Sequence, residues 1–159
     1  MRIDDTGIFT KKVVSFDFHG TLVERHYHHR HYRAEDATKI LKPVFEIFKK
    51  CLSLGINTYI ISFETIHGSD EEGVENNLRI LKQNGIDFPK EKIFCTDYKS
   101  KDKWFEDLKI EFHIDDEVGV VLLANQMGID SLLVDYNQHP IVKMFNRITL
   151  KGKVLKGEL

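Results

Sequence analysis

Apolar positions along this chain follow two patterns that take turns. Short runs of apolar and β-branched residues, the mark of strands buried on both faces, occupy Val13–Phe18, Asn57–Ser62, Ile93–Thr96, Phe112–Ile114 and Ser131–Val134. Between them the apolar residues recur at helical spacing. Val44, Phe45, Phe48 and Leu52 predict a helix that opens at Pro43 and stops at Gly55. Val74, Leu78 and Leu81 share one face of a second helix, Glu71–Asn84, ended by Gly85. Trp104, Phe105 and Leu108 predict a short helix with Ser100 as its cap, and Val118–Met127 predicts another that ends at Gly128. A last short helix is expected at Ile141–Phe145. The tail from Arg147 alternates weakly through Ile148, Leu150 and Val154 and reads as an edge hairpin or a frayed end.

Strands alternating with helices through short loops imply an α/β fold. The expected form is a Rossmann-like three-layer α/β/α sandwich around a mainly parallel sheet. The 159 residues suit a single domain, 1–159, with no repeat and no low-complexity linker. Between Thr21 and Pro43 there is room for a flap (22–42) but not for a separate cap domain.

Composition narrows the class without choosing a function. Charged residues make up 30% and apolar ones 42%, an ordinary globular mix, and a net charge of -2 gives no global drive toward nucleic acid or membrane. Cys51 and Cys95 are far apart and read as buried reduced thiols. No apolar run is long enough to span a bilayer, and the N-terminus lacks a signal-peptide core. A cytoplasmic protein is the expectation.

Candidate chemistry gathers at the strand ends. Asp17 closes the first strand, where open α/β sheets place their ligands, and Gly20 and Thr21 then break the run. An aspartate in that position can also simply cap a turn. Asp115 and Asp116 follow another strand directly. Two adjacent acids repel unless a cation or a lysine compensates them; alone, they read more commonly as a cap for the helix from Val118.

The stretch Asp17-Phe18-His19-Gly20-Thr21, after an apolar strand, resembles the first motif, Asp-x-Asp-Gly-Thr, of the haloacid-dehalogenase (HAD) superfamily of phosphotransferases. Further features fall in that family's order, and together they cover nearly the whole chain. The resemblance implies a HAD-like magnesium-dependent phosphatase with a minimal cap. Asp17 would be the nucleophile that takes the phosphoryl group, with Gly20 and Thr21 shaping the loop. Ser62, with Phe63 beside it, would face the phosphoryl oxygens. A lysine at the start of a helix would neutralise charge there. Lys99, Lys101 and Lys103 compete for that place, and Lys101 fits the family spacing best. Asp115 and Asp116 would hold Mg2+ with Asp17 and the backbone carbonyl of His19.

His19 departs from the motif, because the family has its second Asp there. That Asp protonates the leaving group and then activates water. An imidazole can do the same with a different charge balance. The alternatives are a phosphotransferase, or a weakened phosphate-binding or regulatory protein.

The flap holds the tract His26-Tyr27-His28-His29-Arg30-His31-Tyr32-Arg33. Arg25, Arg30 and Arg33 suit phosphate, and Tyr27 or Tyr32 suits a base. A phosphorylated nucleotide or nucleic-acid end is therefore one expected substrate. A solvated loop, or a surface that joins copies in an oligomer, is the other reading. The spacing of the histidines matches no closed tetrahedral zinc site.

Overall fold

The computed structural model describes residues 3–24, 39–63, 69–135 and 154–156. Six strands form one sheet in the order β3-β2-β1-β4-β5-β6. They are β1 (Val13–Phe16), β2 (Asn57–Ser62), β3 (Ile93–Cys95), β4 (Phe112–Asp115), β5 (Asp130–Asp135) and β6 (Val154–Lys156). All five pairings are parallel. Among the described residues, four helices lie between β1 and β5: α1 (Lys42–Ser53), α2 (Asp70–Gln83), α3 (Asp102–Asp107) and α4 (Val118–Gln126).

Strand period assigns the layers. Successive side chains point to opposite faces of a sheet. Val14 and Phe16 of β1, Ile60 of β2 and Phe112 and Ile114 of β4 therefore turn one way, toward Val44, Phe45 and Phe48 of α1 and Ile80 and Leu81 of α2. Ile61 turns the other way, with Val13 and Tyr59, toward Phe105 of α3 and Val120 and Ala124 of α4. Two helices thus cover each face, and the fold is the expected three-layer α/β/α sandwich. No separate cap domain stands among the described residues.

The local signals explain the ends. Pro43 sits in the first turn of α1. Ser69 caps α2, accepting from the Glu72 N–H at 3.2 Å, and Asp70, Glu71 and Glu72 complement the helix dipole. Both cysteines are free and buried, and burial pushes the Cys51 thiol up to about 12.

Three expectations need correction. β1 stops at Phe16, not Phe18, because the Phe18 carbonyl accepts from the N–H groups of Thr21, Leu22 and Val23 and belongs to the following loop. Ser100 does not cap α3. Lys101 takes the cap position without a side-chain cap bond, since an ammonium has no acceptor for a backbone N–H, and its side chain turns into the interior. Val154–Lys156, in the tail read as an edge hairpin or a frayed end, is an ordered strand that pairs with β5 in parallel. Two short 3-10 turns, Ile3–Thr6 and Ile8–Thr10, precede the sheet, and they bury Ile8 in the core. The helix expected at Ile141–Phe145 lies outside the described residues.

The strand order has one reversal point. From β1 the chain moves outward through β2 and β3, then crosses to β4 on the other side of β1. Ligands of open α/β sheets bind at the carboxyl ends of the strands flanking that switch. Here those ends are Asp17, just after β1, and Asp115, the last residue of β4.

Phe48 anchors the α1 layer. Its ring meets Phe16 at 5.3 Å, Phe45 at 5.9 Å and Phe88 at 5.6 Å. Phe48→Ala should cost about 3–5 kcal/mol of unfolding free energy in urea melts. Leu54→Ala, at a side chain 54% exposed, should stay within about 0.5 kcal/mol of wild type.

Candidate active site

The switch point concentrates charge where water is excluded. Asp17, Lys101 and Asp115 are all buried. Lys101 reaches in from the start of α3 and donates to Asp17 Oδ1 at 2.9 Å and to Asp115 Oδ2 at 2.7 Å. Its ammonium also lies 4.6 Å from the centre of the Phe63 ring. Lys99 and Lys103, its competitors by sequence, are exposed.

Lys101 and Asp115 tune each other. Burial alone would lower the Lys101 pKa, but the Asp115 and Asp17 carboxylates outweigh it and hold the ammonium above the ordinary lysine value. Burial alone would raise Asp115; the Lys101 charge and the His113 hydrogen bond reverse that and hold it below the usual carboxylate range. Both groups are therefore charged at neutral pH.

The loop after β1 is wound around its own backbone. Thr21 Oγ1 donates to Asp17 Oδ2 at 3.0 Å, so both nucleophile-candidate oxygens have a donor. Gly20 has φ 84, a left-handed conformation that favours glycine. A Cβ built on Gly20 would overlap Asp116 Oδ2, so the missing side chain lets Asp116 close over the loop. His19 is buried, with its ring edge-on to Phe18 at 5.1 Å. Beyond it, Val23 bridges Ile40 in antiparallel fashion, and the Glu24 N–H donates to the Lys39 carbonyl at 2.8 Å. The two ends of the 25–38 segment are thus tied together beside His19.

Ser62 ends β2 and is buried, its carbonyl accepting from the Thr96 N–H at 2.7 Å. It stands at the carboxyl end of the strand next to β1. Arg25, Arg30 and the His/Tyr/Arg tract lie outside the described residues.

Side-chain oxygens of Asp17, Asp115 and Asp116 lie within 4.8 Å of one another. Hard oxygen donors from carboxylates suit Mg2+. The charge count points the same way. Three carboxylates against one ammonium leave two negative charges in a largely buried site, and a divalent cation would balance them. The donor set therefore fits magnesium.

Two polar residues here were not anticipated from the sequence. Ser15 and His113 are fully buried, and they link to the site through Asp115. A signal was available: each is a polar residue flanked by apolar ones in its strand, two positions before an Asp. Compared with known proteins, the chain matches no family model and no curated sequence.

The triad makes the stability of the metal-free protein depend on pH with a definite sign. Asp115 has a folded pKa below its unfolded value, which is about 3.9. Its contribution is complete above that value and is lost as pH falls through the depressed one. Lys101 has a folded pKa above its unfolded value, about 10.4. Its contribution is complete below that and is lost as pH rises through the elevated one. Urea stability should therefore decline in acid below about pH 4. Lys101→Met should remove about 3–5 kcal/mol at pH 7 by leaving buried carboxylates uncompensated. Equal stability of variant and wild type from pH 4 to pH 8 would exclude the charged triad.

Gly20 can be tested against a second glycine of like backbone. Gly85 has φ 80 but open space around it. Gly85→Ala should cost about 1 kcal/mol from backbone strain alone. Gly20→Ala should cost clearly more, because Asp116 must also move. Identical melting temperatures for the two variants would show that Asp116 does not rest on the glycine.

Proposed function

We propose that this protein is a magnesium-dependent phosphatase that works through an aspartyl-phosphate on Asp17. The observation that carries the reading is the buried Lys101 ammonium shared by Asp17 and Asp115, with Asp116 alongside, at the switch point of the sheet. A purely structural aspartate at a strand end needs no buried cation and no neighbouring acids. The motif resemblance to the HAD superfamily, carried by Asp17, Gly20, Thr21, Ser62, Lys101, Asp115 and Asp116, supports the same assignment.

The chain's own residues divide the work. Lys101 holds Asp17 Oδ1 in place and offsets negative charge on the phosphoryl group as it arrives. Thr21 orients the Asp17 carboxylate through Oδ2. One Asp17 oxygen attacks phosphorus, and the bond from phosphorus to the ester oxygen breaks. His19, entering as the imidazolium, gives its proton to the departing oxygen. A water then attacks the aspartyl-phosphate and loses a proton to the neutral His19 ring. The phosphorus–Asp17 bond breaks, which releases phosphate and restores both side chains. Ser62 would face the phosphoryl oxygens. Asp17, Asp115, Asp116 and the His19 carbonyl would hold the magnesium ion, which when bound supplies charge neutralisation for an incoming phosphate.

The tract at residues 25–33 adjoins His19 in the chain, and its arginines and tyrosines make a phosphorylated nucleotide or nucleic-acid end the first substrate class to test. A second reading is favoured by one observation, His19 in place of an acid. In that reading the protein binds phosphate and metal but turns over slowly, or passes the group to an acceptor other than water.

Purified protein should hydrolyse an aryl phosphate only when magnesium is supplied. Asp17→Asn should abolish turnover and also the acid-quenched, hydroxylamine-sensitive phosphoenzyme. Hydrolysis by Asp17→Asn at the wild-type rate would rule out the mechanism. His19→Ala should slow turnover by about 100-fold or more and flatten its pH profile near neutrality, with His19→Asp restoring part of the rate. An unchanged rate and profile in both His19 variants would remove His19 from the reaction and favour the slow-binding reading. A 3′-phosphorylated oligonucleotide turned over no better than the aryl phosphate would remove the nucleic-acid substrate.

A further inference from the structure

Ser15 and His113 have no part in the proton and phosphoryl transfers above, yet they occupy positions where the fold alone would accept valine. They are cross-strand partners in the β1–β4 ladder, and both are fully buried. Polar groups in such places lose water and regain only part of that free energy through hydrogen bonds. Here the hydrogen bonds form a directed chain. Ser15 Oγ lies 2.7 Å from His113 Nδ1, and His113 Nε2 lies 2.9 Å from Asp115 Oδ2. The Phe105 ring packs on the imidazole at 4.7 Å and fixes its plane. Ser131, the partner of His113 on the other side, is engaged elsewhere, donating to Asn125 Oδ1 at 2.7 Å.

Donor and acceptor roles follow from Asp115. Lys101 binds the same Oδ2 at 2.7 Å, so the group is a carboxylate, and a carboxylate only accepts. Nε2 must therefore carry the ring proton. Nδ1 is then bare in the neutral ring and must accept from the Ser15 hydroxyl. Asp115 thus selects the tautomer, and the Ser15 hydroxyl, able to donate, satisfies the bare Nδ1 and holds the ring in place.

The same logic counts acceptor sites. A carboxylate offers about four, two on each oxygen. Oδ2 uses two, for Lys101 and His113; Oδ1 uses one, for the Glu117 N–H at 2.9 Å. The remaining site is on Oδ1. We infer that Ser15 and His113 are positioning residues: the Ser15 hydroxyl anchors the imidazole through Nδ1, and the imidazole turns Asp115 so that Oδ2 meets Lys101 and Oδ1 is presented to a divalent cation. This rests on reading Asp17, Asp115 and Asp116 as a magnesium site, and it assigns two residues of the layer beneath that site.

Two measurements test it. Nitrogen-15 NMR of the imidazole in metal-free protein at pH 7 should show a single neutral, Nε2-protonated ring for His113. Ser15→Ala should move the Nδ1 resonance, which loses its donor, while the proton stays on Nε2 facing Asp115. A wild-type ring protonated at Nδ1, or a ring indifferent to Ser15→Ala, would overturn the inference whatever the protein does with metal. Calorimetric titration with magnesium chloride is the second measurement. His113→Leu should weaken binding by about 10- to 100-fold. His113→Gln, whose amide nitrogen can still donate to Asp115, should recover most of the loss. Equal magnesium affinity in wild type and His113→Leu would overturn the inference, as would equal losses in the Leu and Gln variants. If His113→Leu does not fold, Ser15→Ala decides: weakened magnesium binding supports the chain, and wild-type binding overturns it. Absence of magnesium binding by the wild-type protein would instead sink the metal reading, and the tautomer measurement would still decide how Asp115 is held.

Discussion

A single ammonium organises the functional end of this molecule. Lys101 carries its charge into a place closed to water and shares it between Asp17 after β1 and Asp115 at the end of β4. Burying an ion pair rarely improves stability over an apolar contact of the same volume, because each ion must give up its hydration. The arrangement persists here because the geometry is complete. Every oxygen of both carboxylates meets a donor, from Lys101, Thr21, His113 or the Glu117 backbone. The sheet makes this meeting possible. Because the strand order reverses between β1 and β4, their carboxyl ends lie side by side, and α3 delivers the lysine across them.

Much of the scaffold was legible from period alone. β2 begins and ends where its apolar run does, and Gly55 and Gly85 follow the helices they were expected to stop. Failures cluster where side chains serve the site instead of the local backbone. Ser100 looked like the cap of α3 because serine before a helical run usually is one. The cap position went to Lys101, whose backbone starts the helix while its side chain serves the carboxylates. β1 looked longer than it is because Phe18 is apolar, but its carbonyl is committed to the loop that carries Gly20. Apolar character reports burial, not ladder membership. The edge pairing of Val154–Lys156 could not be read at all, since three residues of weak alternation do not say whether a neighbour runs parallel.

The site itself was legible in its first layer and not in its second. Acids at strand ends stand out against an apolar run, and the lysine followed from motif spacing. Ser15 and His113 were passed over as strand filling. A strand buried on both faces tolerates a polar residue only with a partner, and here the partners come from the neighbouring strand, in register. Cross-strand register is not written in either strand alone. The pattern that was available is the shared offset: a polar residue two positions before each acid, on the same face of the sheet.

His19 changes the electrostatics of the whole cluster, not only the proton transfer. With an acid there the site would hold four carboxylates against one ammonium, and a divalent cation would still leave it negative. With histidine, three carboxylates, one ammonium and a divalent cation sum to neutrality, and a protonated imidazole would make the site positive. A neutral or positive pocket favours a phosphate dianion in the ground state more than a negative one does. Tighter ground-state binding does not by itself speed the chemical step, since only interactions that strengthen in the transition state do so. In the proposed phosphatase, histidine at this position would shift the balance toward capture of the phosphorylated ligand. What distinguishes a phosphatase from a phosphate-holding protein is then whether the imidazole, buried against Phe18, can exchange its proton with water once the ester oxygen has left.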